Sequence, residues 1–471
     1  MADESEKDDV LSNIEQELQD VVPGGGCNHE QVGSTVTDYQ YSDLADADFA
    51  GDYLQDTDFT NAILRDANFT GTNLTRVDFT KAELAGANLL DANFNNVDIT
   101  AADFQDANLT NADLTGAYFC LNEYAFDSNG DDIIYPNGIE SESESVDLFP
   151  NFTNANLTEA NFAEVSFLSR DEAQIANKSS EIPDFSAGID LTGANLTNAD
   201  FTDADLLEAN LTGANLTNAD FTDADLSGAD LTGANLTNAD FAGSKLLNAD
   251  LTNADFTNTY LAGATLEHVN IINADLTSAD CTGISLVGVD FTNVDVGGAD
   301  FTNARFSHSN LRGINLTNAE LSGANFVNTD IKNADLSGAN LTSADFNNAN
   351  SKKVDFRDAD LTGADFTDAN LAMTDFTGAD LTDAVLIGTM LDSANLIGAY
   401  LRGADLTNSY MIRANLTGVD LSYANLTGTN LEDADLEGAD LLGADLTDTN
   451  VSNTTLPDGT VRSSLSDLEG Y

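Results

Sequence analysis

Along residues 191–456 an apolar side chain returns at every fifth position. Leu or Phe fills 47 of the 54 centres from Leu191 to Leu456, and the others are Ile271, Cys281, Val296, Ile331, Ser351, Met411 and Val451. Two positions before each centre the residue is usually Ala, and one before it is usually Asp or Asn. The two after the centre are mostly Thr, Asn, Gly, Ser or Asp. A period of five matches neither the 3.6 of a helix nor the 2 of a strand. It predicts a coil with short straight sides and frequent corners. On each side, alternation over three residues sends Ala and Leu/Phe inward and Asp/Asn outward. The small, turn-tolerant residues after the centre then make the corner. Ala is small because two inward rows share a narrow interior. A longer beat runs above this one: "LTGANLTNADFTDAD" at 191–205 returns unchanged at 211–225, and "LTGANLTNADF" again at 231–241.

These residues resemble the pentapeptide-repeat family, whose motif is A(D/N)LXX. The resemblance implies an all-β fold, a right-handed quadrilateral parallel β-helix with four pentapeptides per coil. Four fives make the 20-residue beat, so residues 20 apart are expected to stack at about 4.8 Å.

An earlier block runs from Leu44 to Phe119 with 16 centres, and a short one from Phe152 to Phe167 with 4. The whole then predicts about 18 coils. The expected organisation is an acidic segment 1–37, a first block 38–119, an insertion 120–151, a single coil 152–167, a second insertion 168–184, a long block 185–457 and a tail 458–471. Both insertions come after whole numbers of coils, so they are expected to leave from the same corner. Loops on such scaffolds usually carry specificity. In the first segment Val10, Leu11, Ile14, Leu18 and Val21 have helical spacing, and "PGGGCN" comes next at 23–28. This predicts a short N-terminal helix capping the open end of the coil, which solenoids need. At the other end, the Pro-Asp-Gly of "TTLPDGTV" (454–461) predicts a closing turn.

Charge narrows the picture. The formal net charge is -65, from 81 acidic and 16 basic residues. Such a chain repels phosphate backbones and anionic membranes. It carries no apolar run of the length a membrane span needs, and the composition is that of a soluble, cytoplasmic protein. Stacked carboxylates about 5 Å apart repel, and low salt makes this worse. The acidity therefore suits molar salt, as in a halophile. It also suits imitation of DNA: the pentapeptide proteins linked to quinolone resistance, which this chain resembles, are thought to mimic B-form DNA and occupy DNA gyrase.

Basic residues are rare, so their placement is informative. Six of the 16 fall between 305 and 357. Arg312, Lys332 and Lys352 are spaced by 20 and each directly succeeds its centre, which predicts a positive ladder on one side with Lys353 beside it. That ladder is a partner-binding surface or a relief of self-repulsion. Ser351, a hydroxyl at a centre, marks a local defect. In the first insertion, Asp127, Asn129 and Asp131 match positions 1, 3 and 5 of a calcium-binding EF-hand loop. Asp132 replaces the required glycine and Gly138 the bidentate glutamate, so this is half a motif.

His268 and His308 are 40 residues apart, two coils on one side, too far for a shared metal. The three cysteines Cys27, Cys120 and Cys281 form no disulfide or zinc pattern. No nucleophile, base, phosphate loop or cofactor motif supports catalysis. The expected function is a non-enzymatic, protein-binding scaffold without a cofactor, monomeric or homodimeric. The alternatives are a DNA mimic acting on DNA gyrase or another type II topoisomerase, and a calcium-dependent binding module.

Overall fold

A computed structural model describes residues 37–115, 117, 150–152, 155–157, 160, 162 and 188–462, together with the backbone of two short strands in the first insertion. The chain forms two compact units, Met1–Asp205 and Leu206–Tyr471. The helix expected over residues 10–21 and the tail beyond 462 lie outside the described residues.

One pentapeptide of the second unit shows how each residue type does its part. Ala364 and Phe366 are buried, with Asp365 between them pointing outward. The Asp365 amide donates to Ala344 O at 2.9 Å, and the Phe366 amide donates to Val385 O at 2.7 Å. The strand-like tripeptide thus pairs with the coils on both sides. Asp365 Oδ1 accepts from the Thr367 amide at 2.9 Å and from the Thr367 hydroxyl at 2.6 Å. This is an Asx turn, which explains why Thr so often comes after the centre. Burial pushes the Asp365 carboxyl up, but the bonds from Thr367 and one from Asn347 outweigh it, so the group lies below the usual carboxylate range. Asp368 takes φ 58°, and the Ala369 amide donates back to Phe366 O at 2.8 Å. A positive φ at the third turn residue is the mark of a type II turn.

The same corner recurs at every fifth residue of the second unit, with positive φ at each such position from Glu208 to Asn453. Asn, Asp and Gly dominate there because they tolerate the left-handed region best. A parallel bridge register of 20 residues, as in Asp220↔Asp240 and Asp335↔Asp355↔Asp375, makes four corners one full coil. The expected parallel solenoid with four sides is therefore present. Its sides are so short that each contributes a single bridge to the ladder rather than an extended strand.

Inside, the large row stacks on itself. Phe306, Phe326, Phe346 and Phe366 lie face to face at centroid spacings of 5.0, 4.5 and 4.7 Å, tilted by no more than 9°. Phe356 meets Phe346 edge-on at 5.9 Å from the opposite side. Where the small row carries Thr instead of Ala, the hydroxyl bonds a main-chain carbonyl: Thr329 to Phe306 O at 2.8 Å, Thr429 to Leu406 O at 2.9 Å. Most buried hydroxyls of that row are thereby satisfied. Among the described residues those of Ser351, Ser409 and Tyr39 are buried without a partner. Ser351 is wholly buried at a centre.

In the first unit one inward row runs Leu44, Leu64, Leu84, Phe104, Phe152, Leu191. The Phe104 amide donates to Asn151 O at 2.7 Å and the Phe152 amide to Asp190 O at 2.8 Å. The register of 20 becomes 48 in Asp103↔Asn151 and 39 in Asn151↔Asp190, and the same offsets recur on the next side in Asn108↔Asn156↔Asn195. Both extra segments therefore enter at the same part of the circuit: after the row of Leu114 and Phe162, before that of Phe152 and Leu191. Within the first insertion, β1 (Ala125–Phe126) pairs antiparallel with β2 (Ile133–Ile134).

At the C-terminal end, β3 (Thr454–Thr455) pairs antiparallel with β4 (Val461–Arg462). The Gly459 amide donates to Leu456 O at 2.9 Å, and Gly459 itself takes φ 78°. The expected Pro-Asp-Gly turn thus folds the chain back and ends the parallel ladder.

Two substitutions test the corner and the core. Gly213 has φ +64°, and no atom lies within 4 Å of the place a Cβ would take, so Gly213→Ala isolates backbone strain. It is expected to cost about 1 kcal/mol, and Gly213→Asn clearly less, in chemical denaturation. Ser351→Leu replaces an unpaired hydroxyl with the residue its row prefers and is expected to raise stability by about 1–2 kcal/mol. An unchanged midpoint would mean that the interior has already closed around Ser351.

Candidate interaction surface

The four sides of the second unit differ in what they show to solvent. The first side carries centres Leu311, Ile331, Ser351, Leu371, Leu391 and Met411. Its outward positions between 310 and 413 hold Arg312, Lys332, Lys352, Lys353 and Arg413 against only Asp330 and Asp392. Cations outnumber carboxylates there, on a chain of net charge -65. The second and third sides are acidic over the same coils, with bridged stacks such as Asp335↔Asp355↔Asp375 and Asp360↔Asp380.

The expected ladder of Arg312, Lys332 and Lys352 is present on one side, with Lys353 at the adjoining corner at φ 62°. Its members are engaged differently. Arg312 Nη1 stands 3.7 Å from Asp330 Oδ2. Elsewhere basic residues also pair locally: Lys245 with Asp225 at 3.3 Å, Arg413 with Asp433 at 3.8 Å, and Arg357 with Asp355 through a fork at 2.6–2.9 Å. The Arg357 guanidinium holds the Asp355 carboxyl below its usual range. Lys332, Lys352 and Lys353, in contrast, make no ion pair among the described residues, although carboxylates abound.

An apolar extension of the ladder escaped sequence reasoning. Met373, Met390 and Tyr410 continue it on the same side, and Met390 and Tyr410 bridge directly. A second apolar group, Tyr400, Tyr423 and Leu442, lies on the opposite, third side; all six are 41–59% exposed. Arg402 lies 5.6 Å from the ring centre of Tyr423. The signal was in the sequence, as outward positions filled by Met and Tyr where the repeat expects Asp, Asn or Thr.

Among the described residues of the second unit one step of the bridge register is missing, beside Arg312. No bridge joins Asp295 to Asn315, and the Val296, Gly298 and Asn315 amides lack bonds to the neighbouring coil, as scattered amides such as those of Ile271, Asn293 and Ser351 also do without loss of a bridge. A cleft of about 510 Å³ opens there, lined among others by Phe291, Val294, Val296, Ile314 and Leu316. The local sequence "VDVGG" (294–298) supplies the cause. Val296 is short for a centre, and two glycines in succession weaken an extended segment.

Asp127, Asn129 and Asp131 lie outside the described residues, between β1 and β2. His268 and His308 occupy left-handed corners of one side at φ 58° and 63°. Among the described residues no group of three His, Cys, Asp or Glu is placed to hold a metal, and no helix is long and apolar enough to cross a membrane. Cys281 is core filling; burial, helped by Asp280 and Asp300, pushes its thiol far up, so it stays protonated.

Comparison with known proteins agrees with this geometry. The family of pentapeptide repeats matches residues 187–223, 219–258, 254–293, 299–338, 334–371, 369–408 and 414–453, and a pentapeptide repeat region matches 42–125. The chain belongs to the pentapeptide repeat family. The family matches to this pentapeptide repeat protein leave out 294–298, where the ladder opens, and also 409–413, where it does not. No curated protein matches the chain. Solved structures similar to it include HetL, a pentapeptide repeat protein involved in heterocyst differentiation regulation from the cyanobacterium Nostoc sp. strain PCC 7120. It is 27% identical over 66% of this chain and 93% of HetL, with a TM-score of 0.20. A pentapeptide repeat protein from the Arabidopsis thaliana thylakoid lumen is 27% identical over 34% of this chain and 89% of its own, with a TM-score of 0.21. Full-length QnrB1, a plasmid-mediated fluoroquinolone resistance protein, is 17% identical over 50% of this chain and 90% of its own, with a TM-score of 0.22.

In hydrogen exchange, the amides of Val296, Gly298 and Asn315 are expected to exchange well before those of Leu316 and Leu336, which are bonded to their neighbouring coil; equal protection would mean the ladder is closed there in solution. The bridged carboxylates predict that thermal stability rises with KCl. Between about 0.1 M and 1 M the screening length falls from roughly 10 Å to 3 Å, and a melting curve indifferent to that change would show that stacked charge is not limiting.

Proposed function

We propose that this pentapeptide repeat protein is a non-enzymatic scaffold that binds a protein partner along the first side of its second unit. The observation that carries the reading is the set of unpaired lysines. Lysines that merely relieved self-repulsion would pair with the nearest carboxylates, as Lys245 and Arg357 do. Lys332, Lys352 and Lys353 are left for a carboxylate from elsewhere, and the apolar run from Met373 to Tyr410 offers area beside them. Contiguous exposed apolar surface of this kind marks interaction sites. The partner is accordingly an acidic protein surface with apolar residues next to its carboxylates. The acidity of the remaining sides fits adaptation to molar salt, where such a charge is tolerated.

A second reading rests on the bridged carboxylate stacks of the second and third sides: an acidic solenoid that occupies the DNA-binding surface of a type II topoisomerase. Inhibition of gyrase supercoiling by the purified chain tests it, and full gyrase activity at saturating chain would dismiss it.

The first reading is tested by cross-linking the full chain to its partners in cell extract at molar KCl. Reversal of Lys332, Lys352 and Lys353 to Glu is expected to reduce specific capture at least about tenfold, because like charges then face each other. Reversal of Lys245 on the fourth side is expected to leave it unchanged. Equal loss in both variants, or in neither, would remove the first side from the function.

A further inference from the structure

The surface of the second unit also holds a complement to its own first side. On the opposite side, the third, Asp360, Asp380 and Asp383 stand in consecutive coils, succeeded by Tyr400, Tyr423 and Leu442. The first side shows the same order with opposite charge: Lys332, Lys352 and Lys353, then Met373, Met390 and Tyr410. Both series climb by one coil per step, because both are built on the 20-residue register. Two surfaces with the same rise match over several steps, which an ordinary acidic partner matches only by accident.

We propose that the occupant of the first side is the third side of a second copy of this chain, laid parallel to it and slid by one coil. The proposal rests on the reading of the first side as an interaction surface. The slide brings centre Ile331 of one copy level with Leu361 of the next, and every later centre level with the one 30 residues on. Lys332 then meets Asp360, and Lys352 with Lys353 meets Asp380 with Asp383. In the same register Met373 meets Tyr400, Met390 meets Tyr423, and Tyr410 meets Leu442. Without the slide, Met373 would meet Asp380 and Asp383 and the match would be lost. An antiparallel arrangement would set the lysines against the apolar run. One register thus sets the lysines against carboxylates and apolar area against apolar area, with Asp392 level with Asp420 as its one opposed carboxylate pair among these coils.

Because the two surfaces lie on opposite sides of the coil, each copy that uses both leaves one of each free at the ends of the assembly. The contact is heterologous and does not close on itself, so it builds side-by-side rows rather than a fixed dimer. The net charge of -65 on each copy opposes association at low ionic strength. At about 1 M salt, screening over roughly 3 Å removes the distant repulsion and spares direct contacts.

Sedimentation velocity of the full chain in molar KCl over a range of concentrations is the test. Wild type is expected to self-associate progressively, and more at molar than at 0.1 M KCl. Two triple variants, Lys332→Glu/Lys352→Glu/Lys353→Glu and Asp360→Lys/Asp380→Lys/Asp383→Lys, are each expected to associate at least about tenfold more weakly, since like charges then oppose. An equimolar mixture of the two is expected to associate again, because the reversed surfaces complement one another. Circular dichroism of each variant establishes that the outward changes leave the coil folded. A wild type that stays monomeric at every concentration and salt overturns the proposal, as does association that the variants leave intact or a mixture that fails to recover it. If the wild type is monomeric and reversal of the lysines still abolishes partner capture, the scaffold reading stands while self-association falls.

Discussion

At every fifth residue of the described coils the backbone enters the left-handed region, and the next amide typically closes the turn onto the carbonyl of the centre. In the second unit the left-handed corner recurs without a break from Glu208 to Asn453, and the closing bond is made at all of these corners but those ending at Val269 and Val289. Everything else depends on it. The corner sets the length of a side, four sides set the 20-residue register, and the register puts like residues on top of each other. Left-handed backbone is costly for most side chains, by roughly 1–2 kcal/mol per residue. That cost selects Asn, Asp and Gly at the corner, and it makes the exceptions informative. Lys353, Met373, Arg413 and Tyr423 all hold corners with positive φ. All four lie on the two proposed contact sides, Lys353, Met373 and Arg413 on the first and Tyr423 on the third.

Stacking is what turns a local rule into a stable body. Phe lies on Phe at the coil spacing, Asn donates to the Asp or Asn one coil away, as Asn395 does to Asp375 at 3.1 Å, and Thr brackets the corner. It is also what makes the acidity a burden, since stacking places Asp on Asp as readily as Phe on Phe. Mixing amides into the carboxylate rows converts part of that repulsion into hydrogen bonds. Salt screens the remainder.

Function on such a body has to lie on its outside, because two inward rows of Ala and Leu/Phe leave no room for a site within. The repeat makes each side a regular grid, and a departure from the repeat becomes a feature at a known height. The basic ladder, the two apolar groups and the opening at Val294–Gly298 are departures of this kind. Each is small, and they gain meaning from sharing sides and neighbouring coils. Arg312 ends the ladder and borders the opening, and Met373 begins where Lys353 stops.

The five-residue side, the inward and outward positions and the 20-residue spacing of Arg312, Lys332 and Lys352 were legible in the sequence, and the four-sided coil was implied by its resemblance to the pentapeptide-repeat family. The spacings rest on periodicity, and periodicity is local chemistry repeated. The closing turn at Pro457–Gly459 was legible for the same reason. Three things needed the folded coil. The lysines of the ladder are unpaired, which depends on how side chains settle among many equally near carboxylates. The ladder opens beside Arg312, which depends on whether neighbouring coils can stay in contact over Val296 and two glycines. The opposed surfaces match, which depends on which residues, widely scattered in sequence between Lys332 and Leu442, come to share a side. A repeat states where each residue points, but only the stacked coil decides what stands next to it.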